Sequence, residues 1–196
     1  MSGADGAVYV RRRNALQTAT VGLVATAAVA GSLAASPDVH GVLGAGLALL
    51  MLAVAVIDAH SFIIPNELTA AALALALVNG GLQDPAGVID GVVWSVVRGA
   101  ALAGCFLAVR AVYRLIRERE GLGLGDVKLA AVAGAWLGWT TMPIAVEIAA
   151  LVALAAYALS RMVGGRPLRA TGRLPFGLFL APAIWLCWLL ETLVAL

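Results

Sequence analysis

Long apolar runs with almost no charge fill most of this sequence. Hydrophobic residues make up 62% of the 196 positions and charged residues only 12%, a balance that water-soluble globular domains do not have. In lipid every backbone polar group needs a partner within the protein, so a spanning structure is either helical or a closed barrel. Barrel strands alternate in polarity, whereas these runs are continuous and roughly as long as a spanning helix, about 20 residues. The sequence therefore predicts an all-α, polytopic helical bundle in a membrane.

The apolar runs predict about seven transmembrane helices. They form a single integral-membrane domain at 14–196, which follows a short N-terminal tail at 1–13. The predicted spans are 14–36, 41–58, 67–82, 88–113, 126–140, 142–161 and 176–196. Two of these runs are short for a bilayer crossing. The first run also imitates a secretory signal peptide, and a retained first helix is the favoured interpretation.

Arginine and lysine residues predict the orientation, because short cytoplasmic loops carry an excess of positive charge. They lie before the first predicted span, around the loop between the fourth and fifth, and in the loop between the sixth and seventh: Arg11, Arg12, Arg13, Arg110, Arg114, Arg117, Arg119, Lys128, Arg161, Arg166, Arg169 and Arg173. The intervening turns contain none, so the N-terminus is predicted to be cytoplasmic. Because this charge is divided among short loops, we expect no nucleic-acid binding, and contact with membrane lipid stays open.

Two aspartates stand at the ends of predicted spans: Asp58 ends the second and Asp126 begins the fifth. With the predicted orientation, both reach the cytoplasmic face. A charge placed within a bilayer costs about 2.5 to 3.5 kcal/mol, so a retained carboxylate there is a functional hypothesis. Two neighbouring carboxylates favour a state in which one is ionised and the other protonated. Aspartic proteases use this state to activate water and polarise a carbonyl, without a metal or cofactor.

The residues before Asp126 fit this hypothesis, but they also have a structural explanation. Gly123 and Gly125 lack Cβ atoms and therefore permit close approach of the backbone and of a substrate. Aspartate is also a favoured residue at helix N-termini, so Asp126 could simply cap the fifth span. Asp58 could likewise be a helix-end residue exposed to water.

Three longer blocks surround these aspartates and continue toward the C-terminus. They are Asp58 to Thr69 with its Pro65-Asn66 pair, Gly123 to Trp139, and Leu174-Pro175-Phe176-Gly177. Together they resemble the type IV prepilin peptidases, which are membrane aspartic proteases with a Gly-x-Gly-Asp motif. The blocks occur in the order of that family over about residues 51–182, and in the third of them Leu178 replaces the family's last proline.

The resemblance implies that Asp58 and Asp126 are the catalytic pair. Such an enzyme cuts the short basic leader from prepilins or pseudopilins at the cytoplasmic face of the inner membrane. Further candidates for the active-site loop and for substrate binding are Gly123, Gly125, Lys128, Pro65, Asn66, Pro175 and Phe176.

Several of these further candidates have a structural alternative. Lys128 could hold a carboxylate ionised or bind an acidic group of the substrate, or it could anchor its helix at the membrane surface. Pro65 and Asn66 are expected to shape a turn and cap the third span. Pro175 and Phe176 could shape a substrate channel or only form a turn.

Two further expectations concern the activity as a whole. The chain lacks the cysteine-containing insertion and the methyl-donor fingerprint of many bacterial members, so we expect cleavage without N-methylation. One rival function is a small transporter or channel, in which Asp58, Asp126, Arg98 and Glu147 form an ion or proton relay. Another is a catalytically inactive scaffold for pilus assembly. The sequence leaves open whether the chain forms a homo-oligomer.

Overall fold

The computed structural model describes residues 3–118, 121–164 and 175–194, and the regular secondary structure in these ranges is helical throughout. The prediction of an all-α fold is therefore confirmed. The seven helices are α1 (Gly3–Ala35), α2 (Val39–Ser61), α3 (Asn66–Gln83), α4 (Val88–Arg117), α5 (Leu124–Trp136), α6 (Thr141–Gly164) and α7 (Gly177–Val194).

Five of the seven helices are long and apolar enough to cross a membrane, so the chain is a multi-pass membrane protein. These segments are Leu16–Ala35, Val39–Ser61, Val88–Arg117, Thr141–Ser160 and Gly177–Val194. The helices α3 and α5, which the sequence predicted as spans, are not among them. With 13 residues, α5 is about 20 Å long at 1.5 Å per residue, which is less than a hydrocarbon core of about 30 Å.

The first helix starts earlier than predicted. It begins at Gly3, so the helix includes most of the segment predicted to be a tail, which contains no proline to prevent this. The cytoplasmic position of residues 1–13 and the single domain at 14–196 stay predictions. Five residues used in the sequence predictions lie outside the described residues: Arg119, Arg166, Arg169, Arg173 and Leu174.

The short helix α5 lies at the centre of the bundle. It packs against α3, α4 and α7, and its Leu129 and Val132 are completely buried. The indole N–H of Trp136 donates to the carbonyl of Ala72 in α3 at 3.0 Å. The same ring meets Trp188 of α7 edge to face, with 6.4 Å between ring centroids. Protein therefore covers α5 on several sides, and its two ends are held at defined places in the bundle.

Glycines allow α4 to approach both α3 and α5 closely. A Cβ atom added to Gly91 would lie 2.1 Å from the carbonyl oxygen of Gly80 in α3. A Cβ added to Gly134 of α5 would lie 2.4 Å from the carbonyl oxygen of Arg98. Both obstacles are backbone atoms of a packed helix, which cannot rotate away. Small residues at helix contacts are typical of membrane bundles, because they increase van der Waals contact between backbones.

Replacing Gly91 with alanine is expected to lower the free energy of unfolding of the bundle by about 1 to 3 kcal/mol, the usual cost of overpacking. Thermal unfolding of the purified protein in lipid nanodiscs, followed by tryptophan fluorescence, would measure this loss. The matched control is Gly104→Ala in the same helix, since no neighbouring atom lies within 4 Å of that added methyl group. Equal melting temperatures for the two variants would contradict the close α3–α4 contact.

Arg98, an unusual charge inside a predicted span, is held by neighbours on two helices. Its side chain donates to the Gly134 carbonyl and to the Ser95 hydroxyl, both at 3.3 Å. Two acidic groups interact with it electrostatically, Glu191 of α7 and Asp84 at the end of α3. Glu147, which the relay hypothesis grouped with Arg98, is exposed.

Candidate active site

Asp58 lies in the last turn of α2, where the start of α7 meets it. Only 4% of the residue is exposed. The backbone N–H of Leu178 donates to its Oδ2 at 3.0 Å, and the backbone of Gly177 supplies a further hydrogen bond. These are among the first N–H groups of α7, which have no partner within their own helix. The N-terminal end of α7 therefore places positive partial charge against the carboxylate of Asp58.

Asp126 lies in the first turn of α5 and bonds back to the residue that precedes this helix. The backbone N–H of Gly123 donates to Asp126 Oδ2 at 3.1 Å, so the side chain caps its own helix as the structural interpretation expected. The φ of Gly123 is −73°, an angle open to any residue. The cap fixes the carboxylate beside the Gly123–Gly125 turn.

The structure brings the two carboxylates to the same end of the bundle. Asp58 acts electrostatically on Asp126, although α2 and α5 are far apart in the sequence. The side chain of Ile64 packs against the backbone of Gly125, which precedes Asp126, and of Gly177, which bonds to Asp58. A Cβ atom added to Gly125 would lie 3.0 Å from Ile64 Cβ, and one added to Gly177 would lie 2.9 Å from Ile64 Cδ1. The two glycines thus let α5 and α7 close around Ile64.

Asp126 belongs to α5, which is not one of the five spanning segments, and its environment favours the protonated form. Burial raises the pKa of this carboxyl to about 6, and the negative charge of Asp58 acts in the same direction. The Gly123 N–H opposes the shift because it stabilises the ionised form. Asp126 therefore keeps its proton over a pH range in which an ordinary aspartate has lost it.

The raised pKa predicts a pH-dependent difference between the wild type and Asp126→Asn. A proton that is bound more tightly in the folded state stabilises that state below the ordinary pKa of 3.8, and this stabilisation is lost as the pH rises through about 6. Asparagine does not titrate. The melting temperature of the Asp126→Asn variant in nanodiscs should therefore rise relative to that of the wild type between pH 4 and pH 7. A difference that stays constant over this range would show that the carboxyl titrates normally.

Lys128 and Asn66 contact each other, and this changes the role expected for Asn66. The Nζ of Lys128 donates to Asn66 Oδ1, which joins α5 to α3. Asn66 was expected to cap α3, but the N-cap position is Pro65, and α3 has no side-chain cap. That expectation is wrong because Asn66 is already the first helical residue and its side-chain oxygen is bound to Lys128. Within the described contacts, Lys128 bonds to neither aspartate.

Pro175 and Phe176 lead directly into α7. The Phe176 carbonyl accepts from the N–H of Leu180 at 2.9 Å and thus forms the first turn of the helix. Its ring packs near Phe106 of α4, with 6.5 Å between centroids. Phe176 therefore helps to hold the N-terminal end of α7 at Asp58. This agrees with the alternative in which Pro175 and Phe176 only form a turn. Contact of either residue with a substrate stays a prediction.

Comparison with known proteins connects this geometry to a family. The model of the type IV leader peptidase family matches residues 45–159, a range that includes Asp58, Ile64 and Asp126. This chain belongs to the type IV leader peptidase family.

Relatives in this family include proteins from several bacteria. The chain is 38% identical over 161 residues to a prepilin leader peptidase/N-methyltransferase of Burkholderia pseudomallei strain 1026b. This aligned segment covers 81% of this chain and 50% of the relative. It is 35% identical to the leader peptidase HopD of Escherichia coli over 64% of this chain and 78% of that protein. The prepilin leader peptidase/N-methyltransferase of Escherichia coli K12 is 33% identical over 89% of this chain and 75% of the relative. The chain thus spans only half the length of the Burkholderia relative. No solved structure matches this chain.

Two parts of this candidate site were not among the predicted site residues. They are Ile64 and the N–H groups at the start of α7, on Gly177 and Leu178. Gly177 stood in the third recognised block and Ile64 in the first, so both positions were noticed without a role. An N–H group carries no sequence signal, and an isoleucine in an apolar chain does not stand out. Their roles depend on which helices meet.

Proposed function

We propose that this chain is a membrane aspartic endopeptidase that removes the leader from prepilins or pseudopilins at the cytoplasmic face of the inner membrane. One observation carries the proposal: two carboxylates from different helices meet at one end of the bundle, and backbone N–H groups at the start of a helix hold each of them. Family membership supports the peptidase chemistry, and the names of the relatives support the class of substrate.

The environments of the two aspartates support different roles. Asp58 faces the first N–H groups of α7, which stabilise negative charge, so it acts as the ionised general base. Asp126 accepts one backbone N–H, lies near the charge of Asp58 and has a pKa of about 6, so it acts as the protonated general acid. Pairs of carboxyls whose environments differ in this way define the acid and the base of a site.

These roles give a balanced reaction. Asp58 removes a proton from a water molecule as the water oxygen attacks the scissile carbonyl carbon. Asp126 gives its proton to the carbonyl oxygen, which forms a neutral tetrahedral intermediate. When the C–N bond breaks, the leaving nitrogen takes the proton from Asp58, and the carbonyl oxygen returns its proton to Asp126. Both aspartates end in their starting states.

The predicted orientation supports the cytoplasmic face. In the predicted topology, the C-terminal end of α2 and the N-terminal end of α5 lie on the same side of the membrane as the basic loops. A basic leader that approaches this end meets at least one negative carboxylate. The relay alternative required Arg98 and Glu147 to join the aspartates, whereas Arg98 is bonded to Ser95 and Gly134, and Glu147 is exposed.

Purified protein in nanodiscs, mixed with a full-length prepilin that retains its leader, tests the proposal. Mass spectrometry should show one cut that separates the leader from an otherwise intact pilin. A prepilin without its leader should stay unchanged. The mass of the product also reports whether a methyl group has been added, and we expect none. If a panel of prepilins and pseudopilins stays uncut here while the Escherichia coli K12 relative cuts its own substrate in parallel, the proposed activity is wrong.

A further inference from the structure

Ile64 differs from its neighbours in the linker between α2 and α3. Phe62 and Ile63 are 51% and 63% exposed, whereas Ile64 is only 8% exposed and belongs to the hydrophobic core. Phe62 ends α2 in the left-handed conformation, with a φ of 56°, and its N–H donates to the Asp58 carbonyl at 2.9 Å. The chain thus leaves α2 one turn after Asp58 and returns the side chain of Ile64 to the interior.

The contacts of Ile64 join the two parts of the site. The three atoms nearest to a Cβ added at Gly125, the residue before Asp126, all belong to Ile64 and lie at 3.0, 3.3 and 3.3 Å. On its other side, Ile64 Cδ1 would lie 2.9 Å from a Cβ added at Gly177, whose backbone bonds to Asp58. One side chain therefore packs against the backbone segments that hold both carboxylates.

We propose that Ile64 is a positioning residue that sets the separation and orientation of Asp58 and Asp126. This inference rests on the proposed peptidase function. Its physical basis is that a β-branched side chain has few rotamers and that a close-packed interior transmits a change of one methyl group to its neighbours. Ile64 is not itself a catalytic group, since its side chain is apolar and almost fully buried. It acts through the Gly125 and Gly177 backbones.

The first test is Ile64→Ala in the leader cleavage assay. Without the Ile64 side chain the two carboxylates are no longer held at the correct separation and orientation. We therefore expect kcat to fall roughly tenfold while KM changes little, since small misplacements of catalytic groups lower the rate. The matched control is Ile184→Ala, the same substitution at a completely buried position of α7. It should lower the melting temperature but keep kcat.

A pair of double variants separates positioning from general packing. Gly125→Ala should lower kcat strongly because its methyl group meets Ile64 alone among its nearest neighbours. Adding Ile64→Ala removes the two Ile64 atoms at 3.3 Å, and the smaller side chain lets the remaining Cβ at 3.0 Å move away. This should restore kcat by about tenfold, a coupling of the size found between residues in contact. Gly177→Ala should gain no such recovery, because its methyl group also meets Asp58 Oδ2 at 2.9 Å.

The outcomes distinguish this inference from the proposed function. If the wild type cleaves and Ile64→Ala cleaves with the same kcat, or if the Gly125 double variant is no faster than Gly125→Ala, the positioning role is wrong and the peptidase activity stands. If the wild type cuts no leader, the peptidase function is wrong and the positioning role fails with it. Recovery in both double variants would mean that Ile64 only fills space.

Discussion

Replacing Asp126 with asparagine is expected to lower the rate of leader cleavage by about 10²- to 10⁴-fold, the usual contribution of a general acid or base. Asparagine keeps the size of the side chain and can still accept the Gly123 N–H, so the fold should persist. It cannot give a proton to the carbonyl oxygen. Asp58→Asn should have a loss of the same size, because an amide cannot take a proton from water.

The control for both variants is Asp90→Asn, the same substitution at an exposed residue in the first turn of α4. It should cleave at the wild-type rate. The comparison is made by single-turnover kinetics with melting temperatures measured in parallel, so that an unfolded variant is not mistaken for an inactive one. A folded Asp58 or Asp126 variant that cleaves at the wild-type rate would reject the catalytic pair.

Gly177→Ala is expected to lower cleavage by about 100-fold, the loss that a misplaced catalytic group can cause. The added methyl group would lie 2.9 Å from Asp58 Oδ2 and 3.1 Å from Asp58 Cγ. It would push the carboxylate away from the Leu178 N–H that now bonds to it at 3.0 Å. Ile64 Cδ1 also lies at 2.9 Å, but the other obstacle is the catalytic group itself, so the site cannot relax without moving that group.

Gly104→Ala provides the control for this substitution, since its methyl group meets no atom within 4 Å. It should leave kcat and KM at their wild-type values. For Gly177→Ala the loss should appear in kcat rather than in KM, because Asp58 acts on the reacting atoms. A normal kcat in a folded Gly177→Ala protein would show that the N-terminal end of α7 does not position Asp58.

The sequence predicted the helical architecture because lipid leaves the backbone few alternatives. It was less reliable about which helices are long enough to span. The apolar residues of α5 resembled a membrane segment, but they are apolar because neighbouring helices bury them: Leu129 and Val132 are completely covered. A single sequence cannot distinguish a helix covered by protein from one covered by lipid, since both environments select the same side chains.

Ionisable side chains were easier to identify from the sequence than the residues that bind or position them. Asp58 and Asp126 stood out because a carboxylate in an apolar chain needs an explanation. Asn66 was expected to cap α3, yet its oxygen binds Lys128 of α5, a partner that becomes visible only when the two helices pack. The same limit applies to Glu191, which interacts electrostatically with Arg98, whereas the relay hypothesis grouped Arg98 with Glu147.

The amino-acid sequence by itself determined that this protein is a helical membrane bundle, and it singled out two carboxylates at the ends of helices. Hydrophobicity and the cost of charge in lipid act residue by residue, so both can be inferred without coordinates. Only the tertiary structure decided how the two carboxylates differ. The start of α7 donates its N–H groups to Asp58, the charge of Asp58 acts on Asp126, and Ile64 packs against the backbone at Gly125 and Gly177. These contacts exist only when segments distant in the chain meet.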